Sequence, residues 1–561
     1  MNKKLKRSVS AALVCTMILT AAAISSCGGN NNTPAAQTTS AATGTEAAVT
    51  TTAEAPKTTT DTAAPETTEN TAGSDEETTV EDANDASLKQ ALENLDSVIS
   101  VETIEPGEDA TYFSERYLVT FEQPLDWNDP SKGTFPQRVV VDINDEAEIN
   151  VMETNGYCLN DYVFPASIIG TTNVFGLDNL MGKKLIPEMT GLVTKGGNYI
   201  NVEHRFFGGS RPADMSNTDT RYWEYHTPEN AAKDLHHIYT ALAPLLCDRW
   251  VAVGTSRGGL ITNVYAYYFP EDMNVYISYV APCSDGLNSE SMYRFVYEES
   301  GDLTYGEEAA KNYRGIVTDF QVELMKKKEV LLPVFINFIE KTGSLYQNDM
   351  GDYGQLYDLT VLEFAVQVWQ YKRNQSFDDL KTIIDMPEDT EELTAQKNEL
   401  LLQIFLNTQN PQDFSYNYAA WPYFVNTAIY YGQYLYDFSY LRQALEAAGV
   451  ENTLSVSPEQ DKDIPWSIVF TPEQREAFVY DSGVFHDELL DDMKTTEAKH
   501  LMIFGGTDPW RSQAVPEEVT DGNENIRRYI NPDYPHDGTI SNMPDEMKNE
   551  VIELLGDWLD I

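Results

Sequence analysis

A serine between two glycines, in residues 254–258 (GTSRG), is the feature that most constrains how this chain can fold. The apolar run at residues 250–253 (WVAV) predicts a strand before it, and residues 260–268 (LITNVYAYY) are apolar at helical spacing. Because glycine makes up about 7% of residues in proteins, such a pentapeptide also arises by chance, and the flanking elements carry the inference. Together they predict a tight turn that lifts the Ser256 hydroxyl off a sheet.

An acid and a histidine follow the serine, each in a turn after a predicted strand. Residues 500–504 (HLMIF) predict a buried strand, and the turn after it places Asp508 at its C-terminal edge. Residues 526–530 (IRRYI) predict another strand, and the loop after it, which contains Gly and Pro, carries His536. Of the seven histidines in the chain, His536 is the one that lies in such a loop after the acid.

The order serine, acid, histidine is that of α/β-hydrolases. A serine hydroxyl becomes a good nucleophile when a neutral imidazole takes its proton, and a carboxylate fixes the imidazole tautomer and stabilises the imidazolium. We therefore predict an α/β fold with an α/β-hydrolase core, and Ser256, Asp508 and His536 as a catalytic triad.

The tetrahedral oxyanion of such a reaction needs two N–H donors, each worth about 3–4 kcal/mol. One is expected to be the amide of Arg257, the residue after the nucleophile. The other is expected at an earlier junction of strand and loop. Residues 199–212 (YINVEHRFFGGSRP) offer a strand that runs into a Gly-rich turn, so the Phe207 or the Gly208 amide is the predicted second donor.

Several separated motifs resemble those of one known family: FEQPLDW, GTFPQR, EHRFFGGSRP, the GTSRG turn, YVAP and GTDPW. They resemble serine peptidase family 37, the secreted tripeptidyl aminopeptidases, and more distantly prolyl carboxypeptidase and dipeptidyl peptidase II. The resemblance covers residues 110–560. It implies an exopeptidase acting on peptides with free N-termini, a helical cap over the site, and the same triad.

The chain departs from that family in two places. Arg257 stands where relatives often carry lysine, which keeps the positive charge. Residues 429–434 (IYYGQY) lack the glutamate that similar proteins often have just before such an aromatic–glycine pair. If that glutamate holds the ammonium group of the substrate, another carboxylate must do so here. Glu203, Asp234 and Asp285 are the candidates, and a structural ion pair is the alternative for each.

The N-terminus predicts a lipid-anchored extracytoplasmic protein. Basic residues at the N-terminus precede the apolar residues 11–23, and ISSC follows, as in a bacterial lipoprotein cleavage box. A plain secretory signal peptide would end instead in an A-x-A-like site. The apolar run is too short for a stable membrane-spanning helix. We expect residues 1–26 to be a signal peptide and Cys27 to carry the lipid.

Residues 27–84 are almost entirely Thr, Ala, Glu, Asp, Pro, Ser and Asn, and the first aromatic residue of the chain is Tyr112. Such a composition buries too little apolar surface to fold, so we predict a disordered tether. Residues 85–95 predict a short amphipathic helix that opens the folded part.

The remaining chain is longer than one ordinary domain, and the surplus lies between the serine and the acid. We predict residues 85–288 as the first part of the core, 289–497 as an inserted helical cap, and 498–561 as the last part. The cap prediction rests on helical stretches at residues 307–325, 359–372, 391–406 and 420–448.

The formal net charge of −51 argues against nucleic acid or an anionic membrane surface as a partner, and leaves the predicted lipid as the contact with the membrane. No zinc, phosphate-loop or dinucleotide pattern stands out, so no cofactor is expected. Asp461 and Asp463 are a weak calcium signal in so acidic a chain. Cys247 and Cys283 permit a disulfide, and buried thiols are the alternative. The sequence leaves the oligomeric state open.

Two other functions stay open. A carboxylic-ester hydrolase would use the same triad and turn, although the EHRFFGGS motif and a large cap are untypical of small esterases. A catalytically silent peptide-binding lipoprotein is the other alternative, but such a protein should have lost a member of the triad.

Overall fold

The structure is a computed structural model. It describes residues 87–104, 113–159, 196–215, 221–284, 286–346, 353–371, 376–415, 421–451, 453–462 and 464–561. The predicted signal peptide, Cys27 and the predicted tether lie outside these residues, as do Asp285 and Asp463. Within the described ranges, no helix has the length and apolarity of a membrane span.

Nine strands of the described chain form one sheet in the order β1-β2-β3-β5-β4-β6-β7-β8-β9. Their bounds are β1 Val98–Thr103, β2 Glu115–Pro124, β3 Thr134–Ile143, β4 Ile149–Thr154, β5 Gly197–Val202, β6 Trp250–Thr255, β7 Val275–Tyr279, β8 His500–Gly505 and β9 Ile526–Asn531. The first three strands pair antiparallel with their neighbours, and β5 to β9 pair parallel. This mostly parallel sheet confirms the predicted fold class.

Helices pack on both faces of the sheet, which is why the parallel strands are almost continuously apolar. Ala252 of β6 packs with α2 (Pro228–Leu242) and α3 (Arg257–Tyr268) on one face. Val251 and Val253, one residue to either side, pack with α17 (Asp545–Leu559) on the other face. This period of two is what a strand buried on both sides requires.

The described elements between β7 and β8 are helices. They are α4 Ser291–Arg294, α5 Asp302–Tyr305, α6 Glu307–Lys326, α7 Lys328–Thr342, α8 Tyr353–Tyr371, α9 Phe377–Ile384, α10 Glu391–Thr408, α11 Trp421–Asn426, α12 Ser439–Ala447, α13 Ile464–Val469, α14 Pro472–Ala477 and α15 Val484–Met493. Helices α1 Leu88–Glu93 and α16 Glu517–Thr520 lie outside this stretch. Sheet and helices from Leu88 to Ile561 belong to one compact unit, so the boundaries predicted after residues 288 and 497 stay predictions.

The predicted continuous helix over residues 420–448 is wrong. A π-helical turn, Thr427–Tyr431, follows α11, and the chain then leaves the helix at Gly432, whose φ of 71° is left-handed. The backbone next bonds to another segment: Gln433 N–H donates to Gly286 O at 3.0 Å, and Leu435 N–H donates to Ser289 O at 2.8 Å. These bonds to a distant segment replace helical ones before α12 begins.

The three cysteines that the structure describes, Cys158, Cys247 and Cys283, form no disulfide with one another. Asp461 pairs with Arg442 at 2.8 Å, which gives this acid a structural partner.

Candidate active site

The turn at Ser256 has the geometry of a nucleophile elbow between β6 and α3. Ser256 is half-buried and has φ 56° and ψ −123°, which residues other than glycine rarely adopt. Close packing requires the flanking glycines, because a Cβ at Gly254 would lie 2.2 Å from the backbone oxygen of Gly258. The turn therefore holds Ser256 at the carboxyl end of β6, at the start of α3.

Two backbone hydrogen bonds hold Ser256 in this conformation. Its N–H donates to Tyr279 O at 2.8 Å, and its carbonyl accepts Leu260 N–H at 3.1 Å. Such a backbone costs about 1–3 kcal/mol, so the surrounding packing has to impose it. In return, the amides of the first turn of α3, including that of Arg257, give the site the positive end of a helix dipole.

Asp508 and His536 are in direct contact. His536 Nδ1 lies 2.7 Å from Asp508 Oδ2, and both side chains are buried. Since an ionised carboxylate only accepts, Nδ1–H is the donor and Nε2 is left as the basic nitrogen. Asp508 Oδ1 also accepts the Trp510 N–H at 3.1 Å, which fixes the carboxylate at the start of a 3₁₀ turn.

Close approach of two loops brings this pair together. A Cβ at Gly505 would lie 2.0 Å from the backbone oxygen of Pro535, so only glycine fits where the loop after β8 meets the loop that carries His536. The His536 N–H donates to Gln370 O at 2.9 Å, near the C-terminal end of α8. The histidine loop is thus held by the sheet on one side and by a helix on the other.

Ser256, Asp508 and His536 all follow the carboxyl ends of parallel strands, which share one edge of the sheet. His536 Nε2 is buried and has no hydrogen-bond partner among the described residues, so the structure does not join it to Ser256 Oγ by a hydrogen bond. Such bonds are often long until substrate binds. The structure thus brings two of the three predicted residues into contact, and the complete triad stays a prediction.

The expected second oxyanion donor needs correction. The Phe207 N–H already donates to His204 O at 3.1 Å, so it is engaged within its own turn. Gly208 packs on the ion pair of Arg138 and Glu203, where a Cβ would lie 2.1 Å from Glu203 Oε1. Both residues follow β5, and β4 separates β5 from the serine strand β6. The sheet order therefore disfavours this turn as the source of the donor.

The loop after β4 lies directly against the elbow instead. A Cβ at Gly156 would be 2.8 Å from the Gly258 nitrogen, and Thr154 Oγ1 donates to Gly258 O at 2.9 Å. The loop that follows the strand beside the serine strand is where α/β-hydrolases place their second donor. The Tyr157 N–H already donates to Asn155 Oδ1 at 2.9 Å, so the amides of Asn155 and Gly156 replace those of Phe207 and Gly208 as candidates beside the Arg257 amide.

The Arg257 guanidinium is buried and connects the elbow to the loop after β4 and to helix α11. It donates to Gly156 O and to Asn426 Oδ1, and lies 4.8 Å from the ring centroid of Phe207 and 6.0 Å from that of Tyr423. Burial lowers the pKa of Arg257, and within the described ranges no carboxylate lies at ion-pair distance from it.

Glu203 and Asp234 are ion-pair partners in the structure, which is the alternative to the amine role that the sequence left open for each. Arg138 donates to both Glu203 oxygens at 2.6 and 2.7 Å, and Ser210 Oγ donates at 2.6 Å. Arg205 holds Asp234 through two bonds of 2.7 Å. Neither carboxylate is left for a ligand, and Asp285 lies outside the described residues.

Sequence reasoning missed Glu363, an acid within the apolar helix α8. Its side chain is 3% exposed, and it accepts hydrogen bonds from the hydroxyls of Tyr293 and Tyr434, the latter at 2.9 Å. No cation pairs with it among the residues that the structure describes. Burial raises the pKa of Glu363 to about 7, against the opposing effect of the two tyrosines. Asp358, the other acid of this helix, pairs with Lys328 at 2.5 Å, and a second acid in a helix this apolar was the available signal.

Comparison with known proteins identifies the family. Residues 87–398 match the PS-10 peptidase S37 family. The prolyl tri/tetrapeptidyl aminopeptidase of Streptomyces mobaraensis is 25% identical over 422 residues, which cover 74% of this chain and 75% of that protein.

Among solved structures, the proline iminopeptidase of Mycobacterium smegmatis is 12% identical with a TM-score of 0.29, over 82% of this chain and 98% of its own. The esterase LipA of Xanthomonas oryzae is 11% identical with a TM-score of 0.32, over the same shares of the two chains. Likenesses this distant say nothing about the reaction. The family match covers more than half of the chain, which therefore belongs to peptidase family S37 and is a serine peptidase.

Proposed function

We propose that this serine peptidase is an extracytoplasmic aminopeptidase that releases short peptides, with tripeptides expected, from free N-termini. The observation that carries the proposal is the buried bond between Asp508 and His536, at the same sheet edge as the elbow of Ser256. The printed activity of the Streptomyces relative supports the choice of the N-terminus as the end that is attacked.

In this proposal, Ser256 Oγ attacks the carbonyl carbon of the scissile bond while His536 Nε2 takes the hydroxyl proton. Asp508 holds the imidazole by its Nδ1–H and stabilises the imidazolium. The Arg257 amide and the amide of Asn155 or Gly156 bind the oxyanion. The imidazolium then protonates the leaving amine, which leaves the N-terminal peptide as an ester of Ser256. Water, activated by the same histidine, releases it.

The proposed location rests on the lipoprotein pattern that ends at Cys27. A lipid on this residue would keep the enzyme at the outer face of a membrane, joined through residues 27–84. Cys27→Ala should move the protein from the membrane fraction to the soluble fraction of cells. Retention of the variant on membranes would contradict the anchor.

The activity is tested with the purified protein on di-, tri- and tetrapeptide amides, each with a free and with an acetylated N-terminus. We expect cleavage of the free-amine peptides, greatest for release of a tripeptide, and its loss in Ser256→Ala. Turnover of a p-nitrophenyl ester without any peptide cleavage would favour a carboxylic-ester hydrolase. No turnover of either substrate would favour a peptide-binding lipoprotein.

A further inference from the structure

We propose that Glu363 binds the ammonium group of the substrate's first residue and so determines how many residues are released. This inference rests on the aminopeptidase function proposed above. It is carried by the position of a buried carboxylate without a cation, two helical turns from the contact between α8 and His536.

The surroundings of Glu363 suit a small cation. Two tyrosine hydroxyls donate to the carboxylate, which leaves it lone pairs for a further donor. Burial raises the pKa of five tyrosines, and the charge of Glu363 adds to each shift, which places all five near it: Tyr293, Tyr297, Tyr423, Tyr434 and Tyr436. Aromatic faces attract cations, so these rings add to the attraction.

A second carboxylate, that of Asp413, lies near Glu363 and also favours binding of a cation. Burial and the charge of Glu363 together raise the pKa of Asp413 to about 7. Its recorded hydrogen bond comes from the neutral Gln409 amide at 3.4 Å, and within the described ranges no ion pair reaches it. Glu363 is buried and Asp413 is half-buried, and two carboxylates near one another without a cation are costly to ionise in such a place. An incoming ammonium group would remove that cost.

Helix α8 sets the axial separation between Glu363 and Gln370, the residue that holds the loop of His536. Glu363 and Gln370 are seven residues apart, so they share a face and are separated by about 10.5 Å along the axis. The backbone oxygen of Gln370 holds the His536 amide. An extended peptide advances about 3.3–3.6 Å per residue, so roughly three substrate residues match this axial separation.

The face between these two residues is where the helix is accessible. From Leu356 to Gln370, α8 is buried at every position except Gln367, which is partly exposed. Position 367 is four residues after Glu363 and three before Gln370, so it lies on the same face. A cleft along this face would lead a peptide from Glu363 towards His536.

Aromatic side chains join the two ends of this path. The Tyr434 ring lies 5.5 Å from that of Trp510, and the Trp510 ring lies 6.5 Å from that of His536. Trp510 Nε1 is buried without a hydrogen-bond partner among the described residues, so it is available to a peptide carbonyl. Tyr423 continues the wall towards the elbow, where it lies over Arg257.

The test compares Glu363→Gln with the unchanged protein on tripeptide amides that have a free or an acetylated N-terminus. The glutamine keeps the shape and can accept from the tyrosines, but it carries no charge. We expect KM for the free-amine peptide to rise about 10- to 100-fold, the range for a lost charged hydrogen bond. Turnover of the acetylated peptide and of a p-nitrophenyl ester should change little, and Glu363→Asp should restore part of the preference.

Glu323→Gln is the matched control, because this buried acid of the helical region pairs with Lys326 and Lys397. It should leave the preference for a free amine unchanged. If Glu363→Gln and Glu363→Asp keep the preference of the unchanged protein, the inference is wrong while the aminopeptidase function stands. If the unchanged protein does not distinguish the two peptides, the proposed function itself is wrong.

Discussion

The backbone oxygen of Gln370 accepts the amide hydrogen of His536 at 2.9 Å, which ties helix α8 to the loop of the proposed general base. The ring of Tyr371 reinforces this contact, at 5.8 Å from the imidazole and nearly perpendicular to it. The proposed base is therefore positioned by the helical region as well as by the sheet. Substitutions near the end of α8 should affect catalysis without touching the triad.

The first prediction concerns the tautomer of His536. Asp508→Asn keeps an oxygen for the Trp510 amide but presents an amide group to Nδ1, which favours the wrong tautomer. We expect kcat to fall by about 10⁴-fold with little change in thermal stability, as in other triads. Steady-state kinetics together with a thermal melt measures both. Near-normal turnover would place the acid elsewhere.

The second prediction concerns the packing of the elbow. Gly254→Ala puts a methyl group 2.2 Å from the backbone oxygen of Gly258, where no flexible side chain can yield. We expect a marked loss of thermal stability and of activity. Gly315→Ala is the control, since it is exposed within α6 and its Cβ would meet nothing within 4 Å. That change should raise stability by about 0.5–1 kcal/mol.

The third prediction separates structural carboxylates from the proposed amine ligand. Asp234→Asn leaves the Arg205 guanidinium buried without a charged partner, so unfolding should become easier by about 3–5 kcal/mol. Denaturant unfolding measures the loss. The folded fraction of Asp234→Asn should prefer free-amine peptides as strongly as the unchanged protein does. A selective loss of that preference would return Asp234 to the amine site.

The fourth prediction is a pH dependence. With a pKa of about 7, Glu363 becomes a carboxylate as the pH rises through 7, while a peptide amine with a pKa of about 7.7–8.0 loses its charge above that range. The kcat/KM ratio of the unchanged protein to Glu363→Gln, on a free-amine tripeptide, should therefore rise towards pH 7 and fall above pH 8. A ratio independent of pH would contradict the proposed ion pair.

The ratio is chosen because other groups titrate near Glu363. The described titratable groups that face it are Asp413, Tyr293, Tyr297, Tyr423, Tyr434 and Tyr436. All of them remain in the variant, and the pKa of each tyrosine is raised above 10, so the tyrosines stay neutral over this range. The charge of Glu363 is one cause of the raised pKa of Asp413, so Asp413 should titrate at a lower pH in Glu363→Gln. The raised pKa of Glu363 also contributes to the free energy of unfolding, and this contribution is fully present at pH values below the ordinary glutamate pKa. That contribution is lost as the pH rises through about 7, and Glu363→Gln should remove this part of the pH dependence.

Local patterns predicted the elements that carry the candidate triad. The strands of the serine, the acid and the histidine, and helix α3, appear within a few residues of their predicted bounds. The order of strands in the sheet was beyond such patterns, because pairing depends on long-range contacts. The second oxyanion donor was therefore expected after β5 although β4 lies beside β6. The partners of Glu203 and Asp234, and the isolation of Glu363, could not be deduced from spacing alone.

The geometry of α8 also limits how the length of the released peptide could change in evolution. One helical turn advances about 5.4 Å, whereas an extended substrate repeats every 3.3–3.6 Å, so the two periods are incommensurate. Moving the carboxylate from Glu363 to position 367 would shift the ammonium site by about 6 Å, which is not a whole number of substrate residues. A substitution that moves the carboxylate by one turn along this helix would therefore misalign the scissile bond. A relative with a different step length should differ instead in how the whole helix is placed.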